Sequence, residues 1–302
     1  MKIICCGDLH VSSTSPRYRT SSYYEQLLGK IKWIIDFANT NNIFAVLQPG
    51  DFFNSPDIAE RVKVDIINTI GNTEVYVVFG QHDTKFRNYS DTALSVLIAD
   101  ETVELLGEEP VSYEEKKQVD IYGSSWGDDI PKIDNKNNYN ILVLHRMIVK
   151  DKPLFPDQKD YVKSSDFADK CSNYNLIVSG DNHNSFSYIP KNKKLPTIVN
   201  CGSLMRMTTA QYTHKPCFYV VDTSTGEIEQ HFIPILPVSE VFKPEAAESK
   251  EQNEKMEAFI KTLSTAKMDT QASFENNITT IKPKFEISVQ RLADKFIAGY
   301  YA

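Results

Sequence analysis

Five strongly apolar runs in this chain each end in a short polar motif, and those motifs hold four of its six histidines. Asp8-Leu9-His10 follows the run 2–6, Gly50-Asp51 follows 43–48, and Gly80-Gln81-His82-Asp83 follows 75–79; His145 closes 141–144, and Gly180-Asp181-Asn182-His183 follows 176–179. Apolar runs of strand length that alternate with helix-period stretches are the pattern of an α/β sandwich. In an open α/β sheet functional groups collect outside the carboxyl ends of the strands, so five strand tips can deliver side chains to one point. Carboxylates, imidazoles and amide oxygens are the donors that a pair of divalent cations needs. Two such ions ~3.5–4 Å apart clamp both the attacking and the leaving oxygen of an in-line displacement at phosphorus. The pattern therefore implies metal-dependent phosphoester chemistry.

Between the first two runs, Leu27, Leu28, Ile31, Ile34, Ile35 and Ala38 recur at helical spacing, and Ile58, Val62, Ile66, Ile67 and Ile70 repeat the pattern before the third. Asp91 is the expected N-cap of a helix carrying Leu94, Leu97 and Ile98, and the runs 103–106 and 119–122 read as strands, with 128–140 a polar loop. After His183 the texture changes to strands at 186–189, 197–200, 217–222 and 230–235, with 191–194 a hairpin tip and 223–226 a turn. Pro234 and Pro237 then mark a boundary, which gives a domain over 1–236 and an appendage over 237–302. In the appendage Met256, Phe259, Ile260 and Leu263 suit one amphipathic helix, and Val289, Leu292, Phe296 and Ile297 another.

At 302 residues, 41% hydrophobic and 24% charged, the chain can bury a large core, which excludes a disordered or fibrous protein. No apolar run approaches the ~20 residues of a membrane span, so a cytoplasmic protein without membrane contact is expected. The five cysteines (Cys5, Cys6, Cys171, Cys201, Cys217) have no Cys-x-x-Cys spacing and read as reduced core residues. A net charge of −7 argues against a surface that grips nucleic acid everywhere, because phosphate affinity rests on clustered Lys and Arg. It leaves room for a local basic strip beside the motifs, from Arg17, Arg19, Lys85, Arg87, Lys191, Lys193 and Lys194. His214 and His231 match no motif, and a surface position is expected for His214.

The motif order resembles that of the calcineurin-like metallophosphoesterase superfamily, D-x-H, G-D, G-N-H-D/E, H and G-H-x-H, over about the first 235 residues. The resemblance implies a four-layer sandwich of two mixed β-sheets flanked by helices, followed here by the small helical appendage. It implies that Asp8, His10 and His183 hold one metal, that Gln81, His145 and Asp181 hold the other, and that Asp51 bridges. His82 would lie beside the scissile phosphate as general acid or transition-state stabiliser, Asp83 would orient its neighbours, and a metal-bridging hydroxide would be the nucleophile. Three positions depart from the family pattern. Gln81 stands for Asn and is one methylene longer, Asp181 stands for the first His of the final pair, and Asn54 stands where many relatives have an Asp supporting the catalytic His. The extra carboxylate at Asp181 makes Mn²⁺ the expected metal, with Mg²⁺, Fe²⁺ or Zn²⁺ as alternatives.

The segment 200–206 (Asn-Cys-Gly-Ser-Leu-Met-Arg) resembles the N-P-G-S stretch of DNA-repair relatives, in which Ser203 and Arg206 would meet a phosphate together with Arg17 and Arg19. Within the superfamily the chain looks most like the SbcD-type nuclease subunit. That resemblance implies a DNA exonuclease or phosphodiesterase, DNA as partner, a homodimer, and a C-terminal helical segment that grips an SbcC-like coiled-coil ABC-type ATPase. The alternatives are a hydrolase of a small nucleotide or phosphoprotein, and a metal-binding scaffold with degenerate chemistry.

Overall fold

The computed structural model describes residues 1–85, 88–114, 118–133, 135–155, 158–246, 290 and 294. Among these the chain order is β1 (Lys2–Cys5), α1 (Tyr23–Thr40), β2 (Ala45–Gln48), α2 (Glu60–Ile70), β3 (Val75–Val77), α3 (Ala93–Ala99), β4 (Glu104–Leu105), β5 (Val111–Tyr113), β6 (Val119–Ser124), β7 (Tyr139–His145), β8 (Ile148–Val149), β9 (Val162–Lys163), α4 (Ser164–Lys170), β10 (Leu176–Gly180), β11 (Phe186–Tyr188), β12 (Thr197–Asn200), β13 (Cys217–Asp222), β14 (Ile228–Phe232) and α5 (Val238–Val241). One sheet runs β14-β13-β1-β2-β3-β4 and the other β11-β12-β10-β7-β6-β5, with β8 and β9 as a separate short pair. Both sheets are mixed. The strands that carry the motifs are parallel within each, β1 to β2 to β3 in the first and β7 to β10 in the second.

Burial explains why these strands read as unbroken apolar runs. Alternate residues of β7 face opposite layers: Ile141 and Val143 join Ile3, Cys5, Leu47 and Val178 in the core between the sheets, whereas Leu142 and Leu144 pack with Phe167 and Ala168 of α4. A parallel strand covered on both faces has no polar side to show. On the other flank α1 buries Leu27, Ile31, Ile34, Ile35 and Ala38, and α2 buries Val62, Ile66 and Ile70. The architecture is thus an α/β fold with two mixed sheets flanked by helices.

Some local expectations give way. The cap of α3 is Thr92 instead of Asp91, because the Thr92 hydroxyl accepts the Ser95 N–H at 3.2 Å. The last strand lies at Ile228–Phe232, earlier than 230–235. All five cysteines are buried and unpaired with one another. No helix among the described residues is long and apolar enough to cross a membrane.

The described chain divides into two units. The first comprises residues 1–16, 21–206 and 213–236; the second takes in 17–20, 207–212 and the residues from 237 onward. In the second unit Val241, Phe242 and Ala246 are buried, with Tyr18, Tyr212 and Val238 packed against them. The helices expected around Met256 and Val289, and Arg87 of the basic strip, lie outside the described residues.

Candidate metal centre

Three of the motifs leave their strands through a tight backbone turn that aims the side chain, whereas His145 is the last residue of β7. His10, Asp51 and Asp181 all have positive φ, at 47°, 51° and 75°. Such a conformation costs a residue with a Cβ roughly 1–3 kcal/mol and persists only where the surroundings impose it. Here the surroundings are the other motifs. The Asp51 carbonyl accepts the N–H groups of Leu9 and His10 at 3.2 and 2.9 Å, the Asp51 carboxylate accepts the His82 N–H at 2.9 Å, and the Asp181 N–H points to the Asp8 carboxylate at 3.0 Å. Asp83 ties the second and third motifs together: its carboxylate accepts the N–H groups of Phe52 (3.1 Å), Phe53 (2.7 Å) and Gly80 (2.9 Å). Burial raises the Asp83 pKa to about 7, with the Phe53 and other N–H donors pulling the opposite way.

These turns bring the seven expected ligand residues into one region. The His10 and His183 Nε2 atoms face each other at 3.0 Å, and the Asp8 carboxylate lies 3.5 Å from His183 Nε2. Burial lowers the His10 pKa to about 3 and that of His183 in the same direction, so both rings are neutral and offer lone pairs. Asp51 Oδ2 sits between the two halves, 3.7 Å from His10 Nε2 and 3.4 Å from His145 Nε2. The His145 Nδ1–H is committed to the Pro49 carbonyl at 2.7 Å, so its Nε2 presents a lone pair towards Asp51 unless a cation or proton intervenes. Burial disfavours charge on His145, but Asp51, Asp8 and Asp181 outweigh it and raise its pKa to about 10. Burial likewise opposes charge on Asp51, while His145, His10 and the His82 N–H hold its pKa down to about 2.

The two departures from the family pattern meet each other. Gln81 Nε2 donates to Asp181 Oδ1 at 3.0 Å, which fixes the amide orientation. Gln81 Oε1 is then a buried acceptor without a hydrogen bond, as are Asp51 Oδ2 and His145 Nε2. Unsatisfied buried polar atoms cost free energy. Two buried oxygens without a hydrogen bond, and an imidazole on which the surrounding carboxylates favour positive charge, mark a place that attracts a proton or a cation. The ligand atoms of Asp8, His10 and His183 lie within 4.8 Å of one another, as do those of His10, Asp51 and His82, so the donor chemistry fits divalent cations.

His82 is exposed, its ring centroid 5.0 Å from that of His10. Its Nδ1 lies 3.2 Å from the Asn54 carbonyl, which can only accept, so Nδ1 carries the proton and Nε2 does not. A main-chain carbonyl thus supplies the support that the Asn54 side chain was expected to lose.

The residues expected to bind substrate are placed differently. Ser203 is buried and its hydroxyl donates to the Met205 carbonyl at 3.0 Å. The Ser203 N–H bonds to the His183 carbonyl and the Leu204 N–H to the Asp8 carbonyl, at 3.2 and 2.9 Å. The segment after β12 therefore braces the first and fifth motifs from behind. Arg206 is also buried and donates to the Leu236 carbonyl at 2.6 Å. Arg19 is buried in the second unit with its guanidinium over the Phe242 ring, whereas Arg17, in the same unit, is exposed. His214 is half-buried, bonded to the Ser203 carbonyl at 2.6 Å, and so is not a surface histidine. Sequence reasoning missed the bracing role of Asn200, whose amide donates to the Asn182 and Asn184 carbonyls at 2.6 and 2.9 Å and so holds the loop of the fifth motif.

Gly80 shows how tightly the motifs are packed, since a Cβ there would collide with the Asp51 carboxylate and its backbone nitrogen. Gly80→Ala is expected to displace Asp51 and weaken Mn²⁺ binding at least tenfold by calorimetry, and unchanged affinity would show that Asp51 does not need this position.

The sequence model of the calcineurin-like phosphoesterase family matches residues 1–191. No curated protein sequence matches the chain. Among solved structures the chain is similar to a dimetal phosphatase from Danio rerio, with 9% identity, 78% of this chain and 97% of that chain covered, and a TM-score of 0.49. It is also similar to a protein from Thermus thermophilus (11% identity, 77% and 99% covered, TM-score 0.48) and to a hypothetical protein from Pyrococcus horikoshii (11% identity, 84% and 94% covered, TM-score 0.40).

Proposed function

This chain belongs to the calcineurin-like phosphoesterase family, and on that footing we propose that it is a dimetal phosphodiesterase whose substrate is DNA. The observation that carries the proposal is the open trio of Asp51 Oδ2, Gln81 Oε1 and His145 Nε2, buried beside the exposed ring of His82. When bound, divalent cations supply a water of lowered pKa as nucleophile and draw charge from the phosphate oxygens. The chain's own part is to hold the ligand atoms on rigid strand ends and to place His82. With Nδ1–H fixed on the Asn54 carbonyl, His82 presents Nε2 towards a phosphate and, once protonated there, can hand that proton to the leaving oxygen.

Mn²⁺ is the proposed metal, because the second half offers three oxygens to one nitrogen, and hard cations suit oxygen donors. Asp181→His should shift competition in that half from Mn²⁺ towards Zn²⁺ about tenfold or more, measured by metal content after equilibration with both ions. No shift would mean that Asp181 is not a ligand.

A second reading, a small nucleotide diester as substrate, is favoured by the burial of Arg19 and Arg206, which leaves fewer cations to track a DNA backbone. One assay separates the two. The Mn²⁺-loaded protein is offered bis(p-nitrophenyl) phosphate, p-nitrophenyl phosphate and end-labelled DNA, beside His82→Ala. The nuclease reading expects DNA degradation that falls by about 10²–10⁴-fold in the variant. Cleavage of the small diester with DNA untouched favours the second reading, and hydrolysis of nothing favours a scaffold. We also propose that residues 237–302 dock on a coiled-coil ATPase and that the protein works as a dimer in the cytoplasm; absence of a stable complex with a co-expressed ATPase of that type would remove the first of these.

A further inference from the structure

β2 is buried from end to end, and its last residue carries an amide, Gln48. Burying an amide costs free energy unless its donors and acceptor are met, so its partners are informative. Gln48 Nε2 donates to the Gly50 carbonyl at 2.5 Å and to the Gly7 carbonyl at 3.4 Å, while Gln48 Oε1 accepts the Gly50 N–H at 3.1 Å. Gly7 precedes Asp8 of the first motif, and Gly50 precedes Asp51 of the second. One fully buried side chain is therefore bonded to the residue before each of two expected ligands. No motif marks Gln48, and nothing in the proposed hydrolysis uses it.

Every residue of the turn that Gln48 grips, 49–51, meets another part of the centre. The Pro49 carbonyl accepts the His145 Nδ1–H at 2.7 Å. Gly50, at φ 95°, lies so close to the His145 ring that a Cβ there would collide with Nδ1. The Asp51 carbonyl accepts the N–H groups of Leu9 and His10, and Asp51 Oδ2 lies 3.7 Å from His10 Nε2 and 3.4 Å from His145 Nε2. Asp51 sits at φ 51°, a conformation that persists only where its surroundings impose it. Gln48 contributes to that hold by bonding both main-chain polar groups of the residue before it. We infer that Gln48 is a positioning residue: by tying Gly50 to Gly7 it fixes the turn that carries Asp51, and so sets the spacing of the two cations that Asp51 would share. The inference rests on the dimetal reading and adds to it a residue that is not a ligand.

The test uses Gln48→Met, which keeps the chain length without the amide, and Gln48→Asn, which keeps the amide but is one methylene too short to reach Gly50 and Gly7 together. Each protein is loaded with Mn²⁺, freed of unbound metal and read by electron paramagnetic resonance. Two Mn²⁺ ions ~3.5–4 Å apart that share a carboxylate are exchange-coupled, whereas separated ions give the six-line signal of isolated Mn²⁺. The expected result is a coupled pair in the wild type, its replacement by the isolated signal in Gln48→Met, and a partial loss in Gln48→Asn. The signal is counted per bound ion, so a variant that is merely less stable keeps the wild-type spectrum. The metal-free protein gives a second readout by NMR with nitrogen-15 histidine: the His145 Nδ1–H, assigned by its absence from His145→Ala, should exchange slowly in the wild type and faster in both variants. If Gln48→Met does not fold, Gln48→Asn alone must show both changes. A coupled pair and a protected Nδ1–H in the folded variants would overturn the inference and leave the dimetal reading intact. A wild type without a coupled pair defeats the dimetal reading; faster Nδ1–H exchange in the variants would then still support the hold of Gln48 on the turn, and unchanged exchange would overturn it.

Discussion

Asp51→Asn is expected to reduce phosphodiester hydrolysis about 10³-fold or more and to weaken metal binding in both halves of the centre together. The substitution is nearly isosteric. Asn retains an oxygen to accept the His82 N–H, which lies 2.9 Å from Asp51 Oδ1, so the fold should persist. What it removes is the second oxygen, which lies between His10 and His145, and the negative charge with it. Each tenfold in rate is ~1.36 kcal/mol of barrier, and losing a shared carboxylate takes several kcal/mol of charge stabilisation from the transition state. Activity measured with Mn²⁺, alongside circular dichroism to confirm folding, checks this. A variant that hydrolyses at the wild-type rate would show that Asp51 is not the shared ligand.

Asp83→Ala should act on stability before it acts on chemistry. It strips the acceptor from three N–H groups, those of Phe52, Phe53 and Gly80, around a side chain that is fully buried. An unsatisfied buried donor costs ~1–3 kcal/mol, so about 3 kcal/mol or more is lost from a total that is commonly ~5–15. At ~2–4 °C per kcal/mol the melting temperature should fall by roughly 6–12 °C. Asp83→Asn keeps one oxygen and should fall between the two. Differential scanning calorimetry on the metal-free proteins is the measurement, and a drop below about 2 °C for the alanine variant, less than 1 kcal/mol on the same scale, would mean that Asp83 does not hold these two loops together. The result separates Asp83 from Asp51: one organises the loops, the other meets the cation.

The strands that position the centre were legible because both their faces are covered, so each reads as an apolar run ending abruptly at a polar motif. The elements that escaped are those whose pattern is too short to repeat. α4 spans seven residues and β8 and β9 two each. That these motifs gather at one place was legible from residue type and order, since Asp8, His10 and His183, and likewise His10, Asp51 and His82, bring their ligand atoms within 4.8 Å of one another. The supports of these side chains were not, because Pro49 holds His145 and Asn54 holds His82 through main-chain carbonyls, which any residue would provide. Nor does a sequence distinguish an exposed arginine from one folded inward. Arg19 and Arg206 were read as candidates for a phosphate, but both are buried, with Arg206 tied to a carbonyl and Arg19 over a ring. The Gln81–Asp181 hydrogen bond is a similar case: two substitutions that looked like separate weaknesses form one bonded pair at 3.0 Å.

Metal stoichiometry tests the central claim most directly. The protein is stripped with a chelator, equilibrated with Mn²⁺ and measured by equilibrium dialysis with elemental analysis, beside His10→Ala and His145→Ala. A centre assembled from five strand ends predicts two Mn²⁺ per chain in the wild type and about one in each variant. Two ions retained in both variants, or none bound by the wild type, would contradict it.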